Sequence, residues 1–145
     1  MRGMEIELVP TLGARLPRGG GLLVFGTTEA DTRHRLDCFG QPQPSFARGA
    51  AWNWRVRIGD RWVQAGAGED GLLGEIRVMR SIEYDQGEPT GIPVVYRGID
   101  VFEHTMAEVE FLLGASQGGH PELRLTSMPG AGYAQSAALT DLTTR

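Results

Sequence analysis

The phrase VFGTTEADTRHRL, starting at Val24, returns as VFEHTMAEVEFLL at Val101, 77 positions later in a chain of 145 residues. No other feature limits the fold as much, because each matched position has a physical task. Val24 and Val101, with Phe25 and Phe102, are apolar anchors at the entry. Thr28 and Thr105 are good helix N-caps, and Asp31 or Glu108 follows three residues later, where a carboxylate complements the first-turn dipole. Ala30/Ala107 and Leu36/Leu113 complete the match. Two short helices are therefore predicted, from about Glu29 to Cys38 and from about Met106 to Leu113. The first stops at FGQPQP, which cannot continue a helix. The second carries Met106, Val109, Leu112 and Leu113 as an apolar stripe. Capped amphipathic helices resemble one another, so such a match also arises without duplication. Read as a duplication, it predicts an α+β fold of two short helix-plus-antiparallel-sheet units packed side by side. The units would be residues 22–98 and 99–145, within a single domain of residues 1–145.

The strongest strand signal is AWNWRVRIGDRWVQAG. Trp52, Trp54, Val56 and Ile58 fall on one face, and Asn53, Arg55 and Arg57 on the other. Gly59-Asp60 makes a two-residue hairpin turn, which sets Ile58 opposite Arg61, Arg57 opposite Trp62, Val56 opposite Val63 and Arg55 opposite Gln64. GAGEDG is the next turn, and LLGEIRVMRSIEY a third strand with Leu72, Ile76 and Val78 on one side. MEIELV alternates as a half-buried strand at the N-terminal end. TLGARLPRGGG, broken by glycines and a proline, reads as a loop, as do DQGEPTG and GASQGGHPE. IPVVYR is a short apolar strand, LRLTSM a further candidate, and GYAQSAALTDL a strand or a frayed end.

The stretch FGTTEADTRHRLDCFGQP resembles the FGMT-x-x-x-V…LG-x-P opening of the β-lactamase inhibitory protein family and of the related SmpA/OmlA-type outer-membrane lipoprotein domain. The resemblance spans some 15 to 20 residues near Gly26, with a fainter echo near Phe102. It implies tandem units whose sheets form a concave protein-binding surface. Thr27 stands where the family has Met or Ser, Thr32 where it has a buried Val or Leu, and Glu103 where the second copy would have Gly. None of the family's target-contacting residues maps onto this chain.

Composition excludes several function classes. The net charge of −4 gives no general attraction to nucleic acid or anionic membrane. All basic residues are Arg, with no Lys in the chain. Glu5 and Glu7 interrupt any apolar leader, and no apolar run is long enough to span a bilayer. A lone cysteine, Cys38, excludes an intrachain disulfide and fits a reducing compartment. A cytoplasmic bacterial protein is the expectation.

Catalytic patterns are few. GAGEDG matches G-x-G-x-x-G literally, but a strand follows it, and Glu69 and Asp70 would repel a phosphate. His34 and Cys38 lie four apart, on one helix face, as a thiol and a base would. Cys38, however, lies at a helix C-terminus, where the dipole disfavours a thiolate, and reads as a partly buried structural cysteine. His104 and His120 show no zinc spacing, and Glu108 and Glu110 serve capping and solvation. No nucleophile elbow, phosphate loop or zinc-protease motif occurs, and no cofactor or metal is expected.

What remains is a surface. The hairpin places Trp62 on the face of Arg55, Arg57 and Gln64, and Arg77 and Glu75 have the parity to join it. Trp and Arg are enriched at binding hot spots. The same residues also serve as a cross-strand Arg57–Trp62 cation–π pair on a solvated face. The functional expectation is a non-catalytic protein-binding module, acting through an open sheet face as an inhibitor or immunity-type protein does. Arg55, Arg57, Trp62, Gln64 and Arg77 are the predicted partner contacts. The partner is another protein or, alternatively, a second copy in a homodimer; an enzyme using His34 and Cys38 is the third reading.

Overall fold

The computed structural model describes residues 4–45, 49–80, 91–114, 120–127 and 132–142. Their order is β1 (Ile6–Val9), β2 (Gly13–Leu16), β3 (Gly21–Val24), α1 (Glu29–Leu36), a 3-10 turn (Asp37–Phe39), β4 (Gln43–Pro44), β5 (Asn53–Ile58), β6 (Arg61–Ala67), β7 (Leu73–Arg80), β8 (Val94–Tyr96), β9 (Ile99–Asp100), α2 (Met106–Leu113), β10 (Leu123–Thr126) and β11 (Ser136–Thr140). The architecture is mixed α+β and mostly sheet. One sheet runs β3-β2-β1-β8-β9 and the other β10-β11-β7-β6-β5-β4.

Both copies of the repeated phrase start an eight-residue helix at a Thr N-cap. Thr28 Oγ1 accepts from Asp31 N–H, and Thr105 forms a full capping box with Glu108. Thr32, at the place of a buried aliphatic, is itself buried; its hydroxyl donates to Thr28 O at 2.8 Å, so it costs no unmet hydrogen bond. The strands around the helices do not divide in the same way. β1 pairs in parallel with β8, and β11 inserts beside β7. The expectation of two units, residues 22–98 and 99–145, each with its own sheet, gives way to an interleaved arrangement in which both segments share both sheets.

TLGARLPRGGG is not a loop. It contains β2 and β3's first residue, joined by a turn in which Arg18 and Gly19 have φ of 57° and 72°. Two consecutive left-handed residues make the hairpin turn that matches strand twist. Arg97 and Gly98, at 51° and 82°, repeat it between β8 and β9. Gly13 is required for close approach, because a Cβ there would lie 1.8 Å from Leu23 O. In β7 the buried leucine is Leu73, not the expected Leu72, since the register shifts at Gly66/Ala67. Residues 81–84 of the expected third strand, most of DQGEPTG and residues 115–119 lie outside the described residues. The C-terminal segment gives β11, an inner strand with Ala137, Ala138 and Leu139 buried.

The six-stranded sheet sorts its residues by parity. Its inner face carries the rows Leu125–Ala137–Val78–Val63–Val56 and Leu123–Leu139–Ile76–Ala65–Trp54. These join Ile6, Leu8, Leu23, Val94 and Tyr96 of the other sheet in one core. Both helices lie on this inner side: Trp54 Nε1 donates to Glu29 Oε2 of α1 at 2.7 Å, and Val109 of α2 is in the core. The stripe expected on α2 is only partly used: Val109 is buried, Met106 and Leu113 are half-buried, and Leu112 is exposed. No helix among the described residues covers the outer face, and none is long and apolar enough to cross a membrane.

Candidate functional site

Strand alternation assembles the outer face of the six-stranded sheet. One cross-strand row runs Gln43–Arg55–Gln64–Arg77–Ala138–Arg124 through all six strands. The next row is Arg57–Trp62–Met79–Ser136–Thr126, and a third holds Asn53, Gly66, Glu75 and Thr140. The structure thus brings all five predicted contacts, Arg55, Arg57, Trp62, Gln64 and Arg77, onto one face, with the hairpin register as expected. Arg124, from a segment read only as a candidate strand, extends the row.

The contacts within the face differ from the expected pairing. Trp62 lies opposite Arg57, yet the nearer guanidinium is the diagonal one: Arg55 Cζ is 4.5 Å from the indole centroid and Arg57 Cζ 5.8 Å. Diagonal neighbours are within reach of long side chains. Arg57 is held locally by donating from Nε to Gly59 O at 3.0 Å. Gln64 Oε1 accepts from Ser45 Oγ at 2.9 Å, and Arg77 Nη2 lies 3.4 Å from Glu75 Oε1. The five side chains are half-buried. The Nε atoms of Arg55 and Arg77 are buried and have no acceptor. On the same face the buried Oδ1 of Asn53 has no donor.

Two polar clusters escape sequence reasoning because they join segments far apart in the chain. In the first, the Tyr96 hydroxyl donates to Glu122, Arg97 Nε donates to that hydroxyl at 3.2 Å, and His120 Nδ1 is 3.8 Å from Glu122 Oε2. Burial pushes the Tyr96 phenol up to about 12, and its bond to Glu122 adds to the effect. Burial opposes charge on Glu122, but hydrogen bonds from Tyr96 and its own backbone, with His120 and Arg97 nearby, hold its carboxyl below the usual value. The cluster ties β8 of one sheet to the start of β10 in the other.

In the second cluster Arg61 and Arg80, opposite one another on β6 and β7, are both buried and flank the Phe102 ring at 4.8 and 4.7 Å. Arg80 donates to Ala134 O and Phe102 O, and Arg61 to Ile92 O. Burial lowers the Arg61 guanidinium from its usual value, against the pull of Asp60. These arginines fasten loop carbonyls to the sheet.

The catalytic candidates do not assemble. Cys38 is exposed in the 3-10 turn rather than partly buried, because α1 ends at Leu36 and that leucine takes the inward position. No hydrogen bond joins it to His34 among the described residues. GAGEDG forms the β6–β7 turn, with Gly68 N–H donating to Leu72 O at 2.7 Å. No group of three or more His, Cys, Asp or Glu is placed to hold a metal among the described residues. No protein family, curated protein or solved structure matches the chain.

Proposed function

We propose that the chain is a non-catalytic protein-binding module whose outer sheet face docks an acidic surface of another protein. The observation that carries this reading is the arginine row: Arg55, Arg77 and Arg124 in line, with Arg57 and Trp62 beside them, on the face no described helix covers. Guanidinium groups take carboxylates in charge-assisted, often bidentate hydrogen bonds, which suits an acidic partner. Trp62 supplies apolar area between the charges, a combination typical of binding hot spots. The chain as a whole carries −4, so this basic face is a local reversal of sign. An inhibitor or immunity-type role fits a small module that acts only by covering an acidic partner. A homodimer through the same face is the weaker reading, since a two-fold axis would set arginine rows against each other.

The test uses the purified chain on an immobilised polyglutamate matrix, with light scattering run beside it. The expected result is a monomer retained at low salt despite its negative net charge, and released as salt screens the face. The Arg55→Ala/Arg77→Ala variant should pass through unretained with its circular dichroism unchanged. Equal passage of both proteins would defeat the acidic-partner reading. A dimer that Arg57→Ala/Trp62→Ala breaks would assign the face to self-association.

A further inference from the structure

β10 is an edge of the six-stranded sheet: β11 pairs with one side of it, and no described strand pairs with the other. Thr140 N–H donates to Glu122 O at 2.8 Å, which makes these two residues a hydrogen-bonded pair of the antiparallel ladder. Alternation then gives the backbone groups of Arg124 and Thr126 to β11 and turns those of Leu123 and Leu125 outward. Leu123 N–H is met by His120 O at 2.9 Å. Leu123 O and both polar backbone groups of Leu125 have no partner among the described residues. The side chains of these two leucines join Met106, Val109 and Leu113 of α2 in lining a half-open groove of about 170 Å³, which Glu110 also lines. On the outer side of the sheet Arg124 is exposed, and it has no ion pair among the described residues.

We infer that β10 takes up an extended segment of another protein as an added antiparallel strand, with apolar and acidic residues alternating along it. Open backbone groups on a sheet edge specify a strand, because only extended backbone offers N–H and C=O at the matching spacing. In such a pair, directly opposite residues share a face. The residue opposite Leu125 exchanges both backbone hydrogen bonds with it and turns its side chain toward the groove, where an apolar group is favoured. Its neighbour lies opposite Arg124 on the outer face, where a carboxylate meets an exposed guanidinium. The reverse order would set a carboxylate in the groove beside Glu110. A second copy of β10 is a poorer occupant, since its sequence, LRLT, brings no carboxylate to Arg124. Only Arg124 is shared with the arginine row, so the inference does not rest on docking at that face.

The probe is the peptide acetyl-Val-Glu-Val-Glu-Val-Glu-amide, titrated into the ¹⁵N-labelled chain beside its counterpart with Lys for Glu. The expected result is a saturable shift of the Leu123 and Leu125 amides and of α2, with the Glu peptide binding about tenfold tighter. Arg124→Glu should pass that preference to the Lys peptide, with circular dichroism unchanged. N-methylation of the valines should abolish binding, because their amides face β10, while N-methylation of the glutamates should leave it, because theirs face away. The Arg55→Ala/Arg77→Ala variant should bind the Glu peptide as the native chain does. Loss of binding in that variant, or shifts confined to the outer face, would place the peptide on the arginine row; the inference would fall and the acidic-partner reading would stand. Equal tolerance of both N-methylations, no saturable shift, or a Leu125 amide that moves with protein concentration alone would each overturn the inference.

Discussion

Tyr96 shows how one residue couples pH to stability. It is fully buried, and its hydroxyl is shared between Glu122 and Arg97. Its folded-state value, pushed up to about 12, exceeds the ordinary 10.0 of an unfolded tyrosine. The folded chain therefore keeps a proton that the unfolded chain releases. The resulting stability is complete below pH 10 and disappears as pH rises through about 12. Its size is on the order of 2 kcal/mol. Urea unfolding from pH 8 to 12 should show this steep loss in the native chain, and Tyr96→Phe should flatten it. A tyrosine inside a strand with an apolar flank gave no hint of this role. Its partners come from residues 97 and 120–122, and only the second sheet brings the latter close.

At the scale of elements, the hairpin turns explain what was and was not legible. Gly59, at φ 60°, occupies the first central position of a two-residue turn, where glycine is the ordinary choice, and the turn was readable from sequence. Arg18 and Arg97 occupy left-handed positions that a non-glycine residue enters only at a cost of roughly 1–2 kcal/mol. Arginine is no turn signal, so β2, β3 and β9 were hidden. Arg18→Asn should raise stability by up to about 1 kcal/mol, because asparagine tolerates this conformation better. The measurement is the urea midpoint at constant slope; a lower midpoint would mean that Arg18 is held by contacts outweighing its backbone strain. The helix caps, by contrast, were legible: Thr28 and Thr105 each accept from the N–H three residues on, and at Thr105 the Glu108 carboxylate accepts in return.

For the whole molecule, interleaving has a consequence for folding. Ile76 and Val78 are covered on one side by Leu139 and Ala137 of β11, and β1 is paired with β8 across most of the chain. A fragment of residues 1–98 retains the complete first phrase and most strands, yet β7 becomes an unprotected apolar edge. It should show no cooperative thermal transition in calorimetry, whereas the full chain should show one. A fragment that melted cooperatively would revive the view of residues 22–98 as a self-sufficient unit. The same connectivity builds the binding face. Arg124 and Ala138 come from β10 and β11 and complete the row begun by Arg55 and Arg77.

Sequence alone determined what depends on neighbours in the chain. Strand alternation put Arg55, Arg57, Trp62, Gln64 and Arg77 on one face, the Gly59 turn set their register, and the Thr–carboxylate pairs set both helix starts. These follow from periodicity and local hydrogen bonding, which act over a few residues. Tertiary structure decided the rest: that β11 inserts between β10 and β7, that Arg55 rather than Arg57 lies nearer Trp62, that Arg61 and Arg80 are buried against Phe102, and that Asn53 Oδ1 is left without a donor. The strand insertion and the burial of Arg61 and Arg80 depend on which distant segment arrives beside which, and on the water that segment displaces. No local pattern encodes that displacement.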